Sequence, residues 1–240
     1  MQQNGVRDEI AVDRCEHKYI IDKTKALALW CKLELLMSPD EFSCKSDYMV
    51  RSLYFDTINS IDFYAKINGL DYGKKVRLRV YSPDDNVCKL ELKSKDGVFR
   101  QKRSIILTKD EAQAIINGDL SCLLKKQTQS SLLLYQIMSL GGYRPVVLIE
   151  YRRRALMLQI NDTRITFDTE VRSAEYCTEL FQSDPPYLHC MQDNVILEIK
   201  FNGRLPMFIG KILSAQNITQ QSISKYTTGR PTFINYLYGV

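Results

Sequence analysis

Apolar and polar residues alternate along most of this chain, and the alternation predicts strands. In KKVRLRVY, residues 74–81, Val76, Leu78 and Val80 share one parity, while Lys75, Arg77 and Arg79 share the other. Comparable segments lie at 15–21, 49–55, 75–81, 88–94, 99–107, 146–151, 156–160, 164–168 and 195–201. Two of the connections, YSPDDNV and KSKDGVF, carry the Pro and Asp-Gly residues of hairpin turns. Helical periodicity is rarer. It predicts a helix over 22–37, capped by Asp22, with an apolar stripe through Leu27, Trp30, Leu33 and Met37. Further helices are predicted at 56–68, from a Thr108/Glu111 capping box to Gly118, at 130–140 and at 206–215. Many antiparallel strands with helices between them predict an α+β fold. Its expected form is one domain over residues 1–240, built on a barrel or strongly curved sheet with helices packed outside.

The polar faces of these strands carry charge again and again. Glu16 and Lys18 share a face, as do Arg77 and Arg79, and Lys89, Glu91, Lys93 and Lys95. Lys102 has the parity of Arg100 and Ser104, and Glu198 shares a face with Lys200. A single such face is ordinarily solvated. Repetition across strands, with cations outnumbering carboxylates, instead predicts charged faces converging on a barrel lumen under apolar outer faces. A polyanion such as a triphosphate suits that lumen, because arginine forks match phosphate oxygens and lysines add point charges. Carboxylates beside phosphate then call for a divalent metal, Mg²⁺ or Mn²⁺, with Glu198 the first candidate ligand and Glu16 and Glu91 behind it.

Composition narrows the setting. A net charge of +5 permits an anionic ligand without marking a nucleic-acid binder, and no nucleic-acid partner is expected. Seven scattered cysteines without a C-x-x-C pair, and only two histidines, make a zinc site improbable and point to reduced thiols in the cytoplasm. The N-terminal MQQNGVRDEI lacks a signal-peptide core, and no apolar run approaches the ~18 residues of a membrane span. No P-loop motif and no Ser/His or Cys/His constellation stands out. His17 has the parity opposite Glu16 and Lys18, and His189 lies in the irregular SDPPYLHC segment. Most tyrosines, Tyr54 and Tyr81 included, read as core or wall residues.

The motifs RCEHKYII, SLYFDT, KVRLRVY, LELKSK, QKRSI, EYRRRALM, RITFDT, LEIKF and SKYTTG, in that order, resemble the VTC domain. That family is the polyphosphate polymerase branch of the CYTH-like triphosphate tunnel metalloenzymes, and the resemblance covers about residues 14–229. It implies an antiparallel barrel of about eight strands whose basic tunnel binds triphosphate or polyphosphate. By matching position it implies phosphate-binding, catalytic roles for Lys18, Arg77, Arg79, Lys93, Lys102, Arg153, Lys200 and Lys225. Arg164 matches a further basic, substrate-binding position, and Glu198 matches the acidic metal ligand. Two positions depart from the pattern. Tunnel phosphatases and cyclases open with E-x-E-x-K, where this chain has Arg14, Glu16 and Lys18; eukaryotic-type polymerases carry a His where Lys95 stands.

The resemblance therefore implies a metal-dependent polyphosphate polymerase that takes ATP and extends a phosphate chain. Such transfer needs positioning and charge neutralisation more than a protein nucleophile. A tunnel triphosphatase is the alternative enzyme. A non-catalytic polyphosphate- or RNA-binding module is the alternative outside catalysis, with aromatic and basic strands as its support.

Overall fold

A computed structural model of the chain describes residues 14–44, 46–97 and 99–230. The strands are β1 (Arg14–Asp22), β2 (Ser38–Pro39), β3 (Tyr48–Asp56), β4 (Tyr72–Val80), β5 (Val87–Asp96), β6 (Phe99–Thr108), β7 (Arg144–Leu158), β8 (Thr163–Glu175), β9 (Leu188–Met191) and β10 (Asn194–Asn202). The helices are α1 (Lys23–Leu33), α2 (Ile61–Ile67), α3 (Lys109–Ile116), α4 (Ser121–Lys125), α5 (Gln129–Leu140), α6 (Met207–Ser214) and α7 (Lys225–Thr228). Eight strands form one hydrogen-bonded path, β1-β10-β8-β7-β3-β4-β5-β6, with β2 on β7 and β9 on β8. The expected α+β class with an antiparallel sheet is what the chain adopts.

The chain divides into two compact units. The first comprises Met1–Ser46, Arg154–Phe167 and Asn194–Ser222; the second comprises Asp47–Arg153, Asp168–Asp193 and Ile223–Val240.

In the first unit β1 pairs with β10 along its whole length, setting Glu16 opposite Lys200 and Lys18 opposite Glu198. The other face of this pair, with Tyr19, Ile21, Leu197 and Ile199, packs in one core with Leu29, Trp30 and Leu33 of α1 and Ile209 and Leu213 of α6. Asp22 caps α1 as expected, its side chain accepting the Lys25 N–H. The helix ends at Leu33 rather than continuing to 37, and Ser38–Pro39 beyond it pairs with β7. Its buried stripe is Ala26, Leu29, Trp30 and Leu33; Leu27, expected on that stripe, is 63% exposed.

In the second unit β3, β4, β5 and β6 form a meander. Val76, Leu78, Val80, Leu90 and Leu92 are fully buried, in one core with Ala112 and Ile115 of α3, Leu123 of α4 and Leu134 and Met138 of α5. The capping boxes that start α3 and α5, at Thr108 and Thr128, are both formed. Asp85 accepts the N–H groups of Tyr81 and Ser82 in the β4–β5 turn, and Gly97 adopts φ +57° after β5.

Two expectations merge, and the strands β2 and β9 and the helices α4 and α7 are additional. The segment 146–151 and residues 156–158 of the segment 156–160 belong to the single strand β7, because Arg153 between them is buried against a carboxylate instead of breaking the strand; Gln159 and Ile160 already belong to the turn that follows. Strand β8 runs on to Glu175, well beyond the expected 168. The short helices α4 and α7 have too few turns for periodicity to reveal them.

Candidate functional site

The basic face of the second unit is built by strand parity. Register sets Arg77 between Tyr54 on β3 and Glu91 on β5, and Arg79 between Ser52 and Lys89. One rung away, Lys75, Lys93 and Lys102 stand in a row across β4, β5 and β6. The apolar residues between them face the helices, so the cations leave the sheet on its other side. KKVRLRVY thus buries its valines and leucine under helices and turns its arginines the opposite way.

Glu91 sits at the centre of this face with a side chain only 3% exposed. Its Oε2 accepts from Arg77 Nε at 2.8 Å and lies 3.7 Å from Arg79 Nε, while Oε1 lies 2.9 Å from Lys102 Nζ. Burial alone would raise the Glu91 carboxyl, but the charges of Arg77, Arg79 and Lys102 outweigh it and hold the group well below the usual carboxylate range. Three cations thus converge on one carboxylate, which leaves the cluster positive.

A second cluster in the same unit centres on Asp168, which is completely buried. Arg153 grips it in a fork, Nε to Oδ1 at 2.6 Å and Nη2 to Oδ2 at 2.7 Å, and Lys225 Nζ lies 2.5 Å from Oδ2. Burial pushes this carboxyl up, and Arg153 and Lys225 pull it below its ordinary value. The Tyr151 ring lies under both cations, with Lys225 Nζ 4.6 Å and the Arg153 guanidinium 5.2 Å from its centroid. Parity selects Arg153 from the run Arg152-Arg153-Arg154: its neighbours are exposed, while Arg153 is buried.

Tyrosines tie the clusters of this unit together. Tyr54 OH accepts from Arg77 Nη1 at 3.0 Å, and its ring stacks on Tyr226 at 5.2 Å and 18°. Tyr226 donates its hydroxyl proton to Asp56, which also accepts the N–H groups of Thr57, Asp62 and Phe63 ahead of and within α2. This chain of contacts fixes α7, and with it Lys225. Ser224, just before α7, accepts from Lys75 Nζ at 2.8 Å.

The first unit holds Lys18, Lys200, Glu16 and Glu198 on adjacent antiparallel strands. Lys200 Nζ lies 2.5 Å from Glu198 Oε1, and Lys18 Nζ lies 2.7 Å from Glu16 Oε1 and 3.8 Å from Glu198 Oε2. Burial and the neighbouring Glu198 raise the Glu16 carboxyl; Lys18 and Lys200 win and lower it. Arg164 pairs with Asp40 at 2.7 Å. Arg14, where tunnel phosphatases place their first glutamate, pairs with Asp162 at 3.3 Å.

The three expected metal ligands fall in different settings. Glu16 and Glu198 come together with Lys18 and Lys200 on their oxygens, and both oxygens of Glu91 are taken by cations of its own unit. Among the described residues no group of three or more His, Cys, Asp or Glu side chains is placed to hold a metal ion. Glu16 and Glu198 are the two expected ligands that stand side by side, on adjacent strands β1 and β10.

Sequence reasoning missed Asp168, Tyr54, Tyr226 and Asp56, each of which touches an expected site residue or the helix that carries one. It also missed the Arg51–Glu150–Arg172 network, where buried Glu150 accepts from buried Arg51 Nε at 2.6 Å and from the half-buried Arg172. Lone acids and tyrosines inside apolar strands carry no parity signal. The one available cue was the Phe-Asp-Thr ending shared by SLYFDT and RITFDT.

The family model of the VTC domain matches residues 13–234. No curated protein matches the chain. Among solved structures, a candidate adenylyl cyclase from Hippeastrum, described as having a dominant triphosphatase activity, superposes with a TM-score of 0.54 at 13% identity, covering 90% of this chain and 95% of that one. A candidate adenylate cyclase from Bacillus halodurans gives a TM-score of 0.51 at 15% identity, covering 87% and 92%. At these identities the likeness is one of fold. No helix among the described residues is long and apolar enough to cross a membrane.

Proposed function

The chain belongs to the VTC domain family, and from that membership we propose that it is a metal-dependent polyphosphate polymerase, transferring the γ-phosphoryl group of ATP to the end of a phosphate chain. The observation that carries this reading is the convergence of Arg77, Arg79 and Lys102 on the single buried carboxylate of Glu91. A cluster with excess positive charge, held rigid by strand register, is complementary to a triphosphate.

In this reading Arg77, Arg79, Lys93 and Lys102 take up the phosphate oxygens of ATP on the β4–β6 face. Arg153 and Lys225, locked by Asp168, add two oriented donors. Lys18, Lys200 and Arg164 of the first unit carry phosphate-binding roles by family position. A terminal oxygen of the acceptor chain attacks the γ-phosphorus, the bond from that phosphorus to the β-phosphate bridging oxygen breaks, and ADP leaves. The attacking oxygen is already anionic, so no protein base is required. The side chains orient the reactants and neutralise the charge of the transferring group. Glu198 and Glu16 would hold a divalent ion, Mn²⁺ or Mg²⁺, which when bound supplies further neutralisation of phosphate charge.

Hydrolysis of triphosphate by water is the competing chemistry on the same residues. Arg14 speaks against it: an arginine paired with Asp162 replaces the first glutamate of the phosphatase pattern, removing an acidic ligand. A cytoplasmic setting belongs to this reading, supported by seven cysteines that are all free thiols. Purified protein given ATP and Mn²⁺ is expected to produce long polyphosphate, seen as a ladder on a gel. Release of orthophosphate alone would overturn the polymerase in favour of the hydrolase.

A further inference from the structure

Tyr54 holds a position that its aromatic, strand-forming character does not require. It lies on β3 with only 4% of its surface exposed. Its hydroxyl oxygen accepts from Arg77 Nη1 at 3.0 Å, and the Arg77 guanidinium also approaches its ring at 5.7 Å. Among the described residues the only hydrogen bond of this hydroxyl is the one it accepts. Its own proton thus has no acceptor among the described residues, although a buried tyrosine ordinarily finds one. The other buried tyrosine of the stack, Tyr226, shows the ordinary outcome, donating to Asp56.

The surroundings define what the missing acceptor is. Arg77, Arg79 and Lys225 all act on the Tyr54 hydroxyl electrostatically, strongly enough to lower its pKa against the opposing effect of burial. A donor lodged among cations is matched by an anionic oxygen that those cations also bind. A carboxylate of the protein does not fill this place: Glu91 is bonded to Arg77, Arg79 and Lys102, and Asp168 to Arg153 and Lys225.

We propose that Tyr54 is a further substrate-binding residue of this site, donating its hydroxyl proton to an oxygen of the phosphate chain held by Arg77, Arg79 and Lys225. The inference rests on the reading of this basic face as a phosphate site. It adds a neutral donor between cations, on the element that also fixes the stack with Tyr226. A neutral donor favours the phosphate chain without adding to the charge repulsion among Arg77, Arg79 and Lys225.

The test is a double-mutant cycle of Tyr54→Phe and Arg77→Gln, reading the affinity for inorganic tripolyphosphate by calorimetry without metal. A hydrogen bond to a charged oxygen is worth about tenfold or more in affinity, so Tyr54→Phe is expected to weaken binding by that much. It is expected to keep weakening binding at least severalfold when Arg77 is already Gln. If Tyr54→Phe has no effect in the Arg77→Gln background, Tyr54 merely props Arg77 and the proposal is overturned. If the wild-type protein does not bind tripolyphosphate at all, the phosphate-site reading itself fails, a result distinct from the first. A measurement on the unmodified protein guards against misfolded variants. Absorbance at 295 nm is expected to show a tyrosine that ionises below the ordinary tyrosine range and shifts to higher pH with saturating tripolyphosphate. Absence of that shift would also overturn the proposal.

Discussion

Lys225 Nζ lies 2.5 Å from Oδ2 of Asp168, the same carboxylate that Arg153 grips with both arms of its fork. A residue of the short helix α7 and one of β7 thereby share a single buried anion. The acid determines where two expected phosphate ligands point, although it binds no phosphate itself. Replacing it leaves two cations without their counterion in a buried place. Asp168→Asn is expected to cost about 3–5 kcal/mol, as breaking buried ion pairs does, measured by urea denaturation at pH 7.

The same carboxylate gives stability a defined acid limb. Its pKa is lowered in the folded protein, so its contribution is fully present above the unfolded value of about 3.9. That contribution is lost as pH falls through the folded value. Glu91 acts in the same direction, its carboxyl also being held well below the usual range. Thermal melts from pH 7 downward should show stability falling below about pH 4. The fall should be shallower in Asp168→Asn. An identical slope in both proteins would remove Asp168 from the account.

Glu175 gives the opposite slope. Burial is the larger influence on it and pushes its carboxyl up to about 7, against the nearby Arg230 at 3.8 Å. A folded pKa above the unfolded one means that the group costs stability as pH rises from the unfolded value through 7. Glu175→Gln is expected to raise the melting temperature at pH 8 and to leave it nearly unchanged at pH 5. A gain of equal size at both pH values would contradict this assignment.

Much of this was legible in the chain, for physical reasons that differ by residue. Arg77 and Arg79 were readable because period-2 alternation with Val76, Leu78 and Val80 leaves only one face for them once helices cover the other. Glu16, Lys18, Glu198 and Lys200 were readable the same way, and β1–β10 register brings them together. Asp168 and Tyr54 were not, since each lies in an otherwise apolar strand where parity says only that a side chain is buried. The continuity of β7 was hidden because three successive arginines look like a break. The partner carboxylate of Asp168, on the next strand in sequence, helps make Arg153 a tolerable interior residue.

Glu91 is the resident anion of the basic face, and its removal separates stability from ligand response. Glu91→Gln is expected to lower the melting temperature of the free protein, because Arg77, Arg79 and Lys102 then repel one another without a counter-charge. Added tripolyphosphate should raise the melting temperature of this variant by more than it raises the wild type's. An equal rise in both would show that the phosphate chain does not meet these cations.

Glu198 separates metal from phosphate. Glu198→Gln is expected to weaken Mn²⁺ binding by calorimetry and to cut metal-dependent turnover by roughly tenfold or more. Metal-free tripolyphosphate binding should stay within about twofold, since hydrogen bonding to Lys200 survives in the amide. Unchanged Mn²⁺ affinity would move the metal away from the Glu16–Glu198 pair.

The most direct test of the central claim follows the fate of the γ-phosphate. With γ-labelled ATP and Mn²⁺, a polymerase should place the label in polyphosphate of increasing length and release one ADP for each phosphate incorporated. One orthophosphate released for each ADP, with no labelled polymer, would contradict it.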